Sequence, residues 1–266
     1  MITKNAFLGT SMALILGSAA PLAQANVFEF NPVNFGGTDD TFSGDELVGT
    51  FSTGFTSTDA FASFDATGWF QVKTINLNSA EQFTGGLDAS SVNFTGDYHL
   101  WFEFEYEASG GAGGGIAPSY TIDSVSYSMY AGSGVDRDFV EATNGGGTPT
   151  VTTNSGTNTL IGSATNYFGG GITNQANQSF SAVDTDFSLV NLGTFFTAPD
   201  PFFNLAFQSA STVLPALNDD FTAGTLNGTT EVRFASTPVP EPTSMALIGL
   251  GLIALGWTAS RRRRAS

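Results

Sequence analysis

The feature that most constrains the fold is the segment from residue 99 to residue 107, HLWFEFEYE, in which aromatic and acidic side chains alternate. A period of two is typical of a half-buried β-strand, because successive side chains of a strand point to opposite faces. The 25 phenylalanines of the chain supply the apolar surface that a packed core needs. The segment therefore predicts a strand whose solvent face carries Glu103, Glu105 and Glu107.

Other short segments repeat this period, with almost no helical periodicity between them. In SVSYSMY (residues 124–130), Val, Tyr and Met alternate with serines. Linkers rich in Gly, Ser, Thr and Asn separate such segments, most clearly at residues 109–118 and 143–158. The pair Asn227-Gly228 is typical of a type I′ hairpin turn. Together these patterns predict an all-β fold, a β-sandwich or jelly-roll-like single domain.

The amino-terminal residues 1–25 have the build of a secretory signal peptide. Lys4 gives a positive start, an apolar stretch follows, and the small residues Ala23 and Ala25 form a cleavage site. The apolar stretch is short for a transmembrane helix. We therefore expect export through the secretion machinery and a mature chain that begins at Asn26. Since the chain has no cysteine, its stability must come from a packed core, and thiol catalysis is excluded.

The charge of the chain limits its partners. Between residues 26 and 240 there are 23 acidic residues and three basic ones, a net charge of −20. Nucleic acid and anionic lipid are both bound through basic surfaces, so neither is expected as a partner. Divalent cations and hydrated polysaccharide are compatible with this charge.

The glutamates of the strand at residues 99–107 form a candidate site. Glu103, Glu105 and Glu107 lie about 6–7 Å apart along one strand, a spacing that suits glycosidase carboxylates. An acidic, solvated face that prevents aggregation explains the same residues without catalysis. The single histidine, His99, lies beside the aromatic strand, where a packed role is favoured over a ligand role. The sequence therefore predicts no catalytic residue and no enzyme.

Three short acidic segments bring carboxylates together: GGTDD, VDRDF and LNDDF. Oxygen ligands of this kind are able to bind Ca²⁺, but none of the three segments has EF-hand spacing. Turn-forming Asp is the favoured interpretation. We predict no cofactor and leave Ca²⁺ open.

The carboxyl-terminal tail, residues 238–266, has three parts in a fixed order. A Pro-Glu-Pro triplet comes first, and the apolar stretch from Thr243 to Ser260 is long enough to form a single transmembrane helix. Four arginines follow and would remain on the cytoplasmic side. The triplet is Pro240, Glu241 and Pro242, and the arginines are Arg261, Arg262, Arg263 and Arg264.

This tail resembles the PEP-CTERM sorting signal. In that family an exosortase, a membrane enzyme of Gram-negative bacteria that make exopolysaccharide, recognises the tail. The resemblance implies that the helix holds the protein transiently in the inner membrane. It further implies that the tail is cut near the Pro-Glu-Pro triplet and that the body, residues 26–237, reaches the cell surface or the extracellular matrix.

The body is similar to the flocculation-associated PEP-CTERM proteins in several segments that occur in the same order. They include GGTDDTFSGDELVGTFSTGF, YSMYA, TNTLIGSATNYFGGGITN and LGTFFTAPDPFFNLAFQSAS. This resemblance implies a non-enzymatic protein that associates with extracellular polysaccharide in flocs or biofilm. Two alternatives stay open: a surface enzyme acting on polysaccharide, and a membrane-anchored protein whose tail is never cut.

Overall fold

The computed structural model describes the body of the chain with internal gaps. The predicted signal peptide and its cleavage residues Ala23 and Ala25 lie outside the described residues, as do the triplet and the arginines of the tail. The described residues are 26–59, 62–82, 84–88, 96–109, 120–143, 147–166, 172–173, 180–212, 216–217, 219–220 and 222–236.

The described residues form β-strands and one 3-10 turn, Val33–Phe35, with no α-helix among them. This part of the chain therefore contains no helix that is long and apolar enough to span a membrane. The strands are β1 (Phe28–Phe30), β2 (Phe42–Gly44), β3 (Glu46–Thr56), β4 (Ser63–Leu77), β5 (Ala80–Glu81), β6 (Tyr98–Ser109), β7 (Tyr120–Val140), β8 (Thr150–Ala164), β9 (Ile172–Thr173), β10 (Phe180–Asp186), β11 (Ser188–Leu189), β12 (Phe196–Ala198), β13 (Leu205–Thr212), β14 (Ala216–Leu217) and β15 (Ala223–Ala235).

Most strands belong to one antiparallel sheet of twelve, in the order β10-β13-β15-β3-β4-β6-β7-β8-β11, with β14, β5 and β9 attached at the side. A second sheet has three strands, in the order β12-β1-β2. Within the large sheet, β6, β7 and β8 are neighbours in both sequence and space. Such local connections are favoured because a short loop joins antiparallel neighbours easily.

The large sheet curls because a single stretch of chain serves both of its edges. β10 pairs with β13 at one edge, and β11, two residues further along, pairs with β8 at the other. Backbone hydrogen bonds hold this crossing, from Asp186 N–H to the Asn166 carbonyl and from Phe187 N–H to the Asn204 carbonyl. The curled sheet thus encloses a core on its concave face.

The prediction of an all-β fold is confirmed. The two sheets are unequal, with twelve strands in the curled sheet and only three in the other. The structure does not show a jelly-roll.

The core is mostly aromatic. Phe28 of the small sheet is fully buried and meets Phe196 and Phe234 edge to face, with ring centroids 5.4 and 5.7 Å apart. Phe70 stacks on Phe102 across the large sheet. Because edge-to-face and offset contacts are the favoured aromatic geometries, these rings stabilise the fold beyond the area that they bury.

The hairpin turn predicted at Asn227-Gly228 is wrong. Both residues lie inside β15 and pair with Ser52 and Phe51 of β3. The Asn227 side chain is held by tertiary contacts, since its Oδ1 accepts a 2.7 Å hydrogen bond from the Ser52 hydroxyl. These long-range contacts override the local turn preference of the pair.

Replacing Phe28 with alanine is expected to lower the free energy of unfolding by about 4 kcal/mol, because it leaves a cavity between the two sheets. Urea unfolding of the full chain in detergent, followed by circular dichroism, measures the change. Val27→Ala is the matched control, since this neighbour is 51% exposed and should change stability by less than about 0.5 kcal/mol. Equal losses in the two variants would contradict the assignment of Phe28 to the core.

Candidate functional site

The strands β4, β6 and β7 place nine side chains in a regular array on the face opposite the core. Antiparallel pairing aligns them in three rows, because directly opposed residues share a face. The central row is acidic, and hydroxyl groups dominate the row on β7. The rows are Asp65, Thr67 and Trp69 on β4; Glu107, Glu105 and Glu103 on β6; and Ser124, Ser126 and Ser128 on β7.

A projecting part of the β7–β8 hairpin crosses this outer face, and we call residues 137–143 and 147–151 the arm. The indole N–H of Trp69 donates to the Val140 carbonyl at 3.0 Å. The Ala142 N–H donates to the Ser52 hydroxyl at 2.8 Å. A side chain at Gly54 would stand 2.7 Å from the Gly147 carbonyl, so glycine permits the arm to approach β3 this closely.

A groove runs along the array and ends beneath the arm. It consists of two pockets of about 690 and 470 Å³ that share Thr67, Glu105, Ser126 and Thr165. We call the two together the outer groove. Its lining includes Asp65, Thr67, Glu103, Glu105, Glu107, Ser124, Ser126, Ser128, Tyr130, Thr148, Pro149, Leu160, Ser163 and Thr165.

The groove has two chemically different ends. One end is acidic and contains Asp65 and Glu107. The other end is more apolar, with the ring of Tyr130, with Pro149 of the arm, and with Leu160, which is 39% exposed. An elongated ligand would therefore meet carboxylates at one end and an aromatic surface at the other.

The three glutamates predicted to face solvent do so. Glu103, Glu105 and Glu107 are all exposed, while Phe102 on the same strand is buried. All three line the outer groove. The strand prediction is confirmed for this segment.

Glu103 is oriented by a buried aromatic contact. The fully buried indole of Trp101 donates a 3.1 Å hydrogen bond to Glu103 Oε1. Tyr130 stacks on Trp101, and the Arg137 guanidinium lies over the Trp101 ring at 4.5 Å. A cation over an indole face is a favourable arrangement. The arm thus fixes the tryptophan that positions one groove carboxylate.

Arg137 is buried in the arm without a carboxylate partner among the described residues. Its Nε donates to Asn158 Oδ1 at 3.0 Å, and its Nη2 donates to the Thr157 carbonyl at 2.9 Å. Burial lowers the pKa of this guanidinium, because desolvation penalises the charged form. Arg137 therefore serves the packing of the arm and is not available to a ligand in the groove.

His99 is packed, as the sequence indicated, rather than exposed as a ligand. It is 1% exposed, its Nε2 lies 3.8 Å from Asp88 Oδ2, and its ring is near Phe139 of the arm. Burial lowers the pKa of His99 to about 4, although the Asp88 charge raises it in part. Lys73 and Arg137 also lower it by repulsion. The imidazole is therefore neutral in the folded protein at pH 7.

His99→Gln should reduce the loss of stability in acid. Between pH 6.5 and about 4, the unfolded chain binds a proton on His99 that the folded chain does not bind, so stability falls as pH falls through this window. We expect this group to contribute about 3 kcal/mol of the difference between pH 7 and pH 4. Thermal unfolding of both forms across this range measures it. Since the chain has one histidine, parallel curves would refute this account.

A second carboxylate group lies between β3 and β15. Arg233 donates from Nε to Glu46 Oε1 at 3.0 Å, and Asn76 donates to Glu46 Oε2 at 2.9 Å. Burial opposes ionisation of Glu46, but its hydrogen bonds with Glu231, Arg233 and Asn76 outweigh this effect and lower its pKa. Burial, together with the neighbouring Glu46, raises the pKa of Glu231 to about 7. The two carboxyl groups thus hold one proton between them in mildly acidic solution.

Glu231→Gln should remove a source of instability at neutral pH. In the window from 4.5 to about 7, folded Glu231 keeps a proton that the unfolded chain releases, so this group's contribution falls as pH rises. The variant should be more stable than the parent above pH 7, by less than about 1 kcal/mol because the side chain is partly exposed. Unfolding at pH 5 and at pH 8 tests this. A variant that loses stability at the higher pH would contradict it.

The acidic segments considered for Ca²⁺ lie apart from one another. Asp39 accepts a hydrogen bond from Asn31, and Asp138 accepts one from Asn154. Asp219 and Asp220 are exposed. Within the described ranges, no group of three or more His, Asp or Glu side chains is arranged to hold a metal ion.

Several groove residues were not identified from the sequence. The serines at positions 124, 126 and 128 were recognised as one strand face, but not as neighbours of the glutamates. Tyr130, Pro149 and Thr165 gave no signal of a shared site. Their proximity depends on strand register and on the folding of the arm, and one sequence does not specify either.

The comparisons with known proteins concern the tail. Residues 238–264 match the sequence profile described as the PEP-CTERM protein-sorting motif. No curated protein sequence and no solved structure shows significant similarity to the chain. The motif implies an exported protein that an exosortase sorts to the cell surface of a Gram-negative bacterium.

Proposed function

We propose that this chain is a non-enzymatic matrix protein that an exosortase releases from its tail and that holds exopolysaccharide in flocs or biofilm. The sorting motif at residues 238–264 supports the first step. The observation that carries the second step is the outer groove, where exposed carboxylates and hydroxyls line an elongated cleft. The similarity of the body to the flocculation-associated PEP-CTERM proteins agrees with this function.

The chemistry of the groove suits a carbohydrate. Sugar hydroxyls donate and accept hydrogen bonds, and the groove offers hydroxyls of Thr67, Ser126 and Ser128 beside the carboxylate acceptors. The ring of Tyr130 supplies an apolar surface of the kind on which a sugar ring packs. Because the groove is open along its length, it suits a segment of a polymer better than an enclosed small molecule.

An enzyme acting on polysaccharide is the second candidate, because the groove holds carboxylates at a suitable spacing. Alternate residues of one strand lie about 6–7 Å apart, near the separation found in inverting glycosidases. The three glutamates are all exposed, whereas a general acid needs an environment that raises its pKa. Release of reducing sugar from the native exopolysaccharide, abolished by Glu105→Gln, would favour the enzyme over the matrix protein.

The mass of the carboxyl terminus tests the proposed function. The protein recovered from the exopolysaccharide fraction should lack the residues after about Pro242, and only in cells that contain the exosortase. In cells without the enzyme, the chain should keep Ser266 and remain with the inner membrane. An intact tail in both strains would instead identify a permanently anchored surface protein. A processed chain found free in the medium, with none in the polysaccharide fraction, would overturn the matrix role.

A further inference from the structure

Among the described residues, no basic side chain compensates the charge of the outer groove. Four carboxylates line it, and none of the described side chains around it is basic. The body between residues 26 and 237 contains only three basic residues, and all of them are engaged elsewhere. Lys73 donates to Gln71, Arg137 is buried in the arm, and Arg233 is paired with Glu46.

The acidic row does not protect a sheet edge. Charged residues on edge strands prevent unwanted pairing with other chains. However, β6 is an interior strand that pairs with β4 on one side and β7 on the other. Its glutamates therefore have no edge to protect, and the aggregation argument made from the sequence does not account for them.

The array also places like charges directly opposite each other. Asp65 of β4 faces Glu107 of β6 in the register. Directly opposed like charges destabilise an antiparallel pair, and a ligand that neutralises them relieves this cost. At the other end of the row, Glu103 is held in place by Trp101, so its carboxylate is preorganised to accept a hydrogen bond.

We propose that the outer groove binds a polysaccharide that carries free amino groups, such as a partly de-N-acetylated amino-sugar polymer. Protonated amines along such a polymer are complementary to separate carboxylates on a strand, which recur about every 6–7 Å. The serine row and Thr67 accept and donate hydrogen bonds to the sugar hydroxyls beside each amine. This inference rests on the proposed function and names the class of glycan.

The lining of the groove favours a sugar polymer over a basic peptide. Each glutamate on β6 has a serine opposite it on β7, so an acceptor for charge lies beside a hydroxyl at every step. The end of the groove at Tyr130 and Leu160 offers a surface for the apolar face of a sugar ring. A lysine side chain uses the charge but leaves the hydroxyl row unpaired.

Calorimetric titration of the full chain, purified in a non-ionic detergent at mildly acidic pH, tests the proposal with a β-1,4-linked glucosamine hexamer. We expect the fully N-acetylated hexamer to bind at least about tenfold more weakly, because acetylation removes the charge. Binding of the glucosamine hexamer should weaken as NaCl is raised from about 0.05 to 0.5 M.

Variants locate the binding. Glu105→Gln, at the centre of the row, should weaken binding of the glucosamine hexamer about tenfold, as expected for the loss of one charge-assisted hydrogen bond. The matched control is Glu29→Gln, an exposed glutamate of the small sheet that should leave affinity unchanged. Because Glu105 is exposed and lies between Glu103 and Glu107 on the same face of β6, its replacement should not reduce stability. Equal effects of the two variants would overturn the assignment to the groove.

Further probes separate failure of this inference from failure of the proposed function. Equal affinity for the N-acetylated hexamer and the glucosamine hexamer would overturn the requirement for amines. Alginate that binds when Ca²⁺ is present, and does not bind when it is absent, would overturn that requirement too. Hexalysine that binds as tightly as the glucosamine hexamer overturns the sugar assignment. In each case, retention on the native exopolysaccharide would leave the matrix role intact. Failure to bind that exopolysaccharide under any condition would overturn both proposals.

Discussion

The arrangement of the protein depends on the alternation of side chains along β6. One set of residues on this strand, including Phe102, packs in the aromatic core, and the other set, including Glu103, faces the groove. Because the strand is paired on both sides, the alternation also aligns the outward rows of β4 and β7 with the glutamates. A shift of register by one residue would exchange the two faces and expose the core, so the same constraint fixes the fold and the groove together.

The arm forms one wall of the groove on the outer face of the large sheet, and aromatic contacts hold it there. Its Phe139 packs on Trp69, and its Arg137 lies over Trp101, so two tryptophans on the outer face anchor it. The cluster of Trp69, Trp101 and Phe139 also buries polar groups such as His99, which stay neutral or hydrogen-bonded there. These contacts fix the position of the arm beside the groove, and a fixed wall is what preorganised binding requires.

The sequence predicted the strands more reliably than their arrangement. The alternation in residues 99–107 and 124–130 was interpreted correctly, because period two reflects burial on one face directly. The prediction of a turn at Asn227-Gly228 was wrong, because the pairing of β15 with β3 overrides the local turn preference. The position of Thr67 beside Glu105 depends on register between distant segments, and the arm depends on contacts of Trp69 and Trp101 that no local pattern reveals. From the sequence alone, the groove residues could therefore be predicted only as separate strand faces.

Sorting and folding are compatible because the core ends before the tail begins. The last strand, β15, ends at Ala235, and the matched sorting motif starts at residue 238. At the other end of the body, the Asn26 N–H donates to the Phe234 carbonyl at 3.2 Å, so the predicted mature amino terminus lies beside the exit of the tail. A cut near Pro240 removes no residue of the described core. The domain that reaches the surface therefore keeps the same packing, and hence the same groove, that it had while its tail was attached.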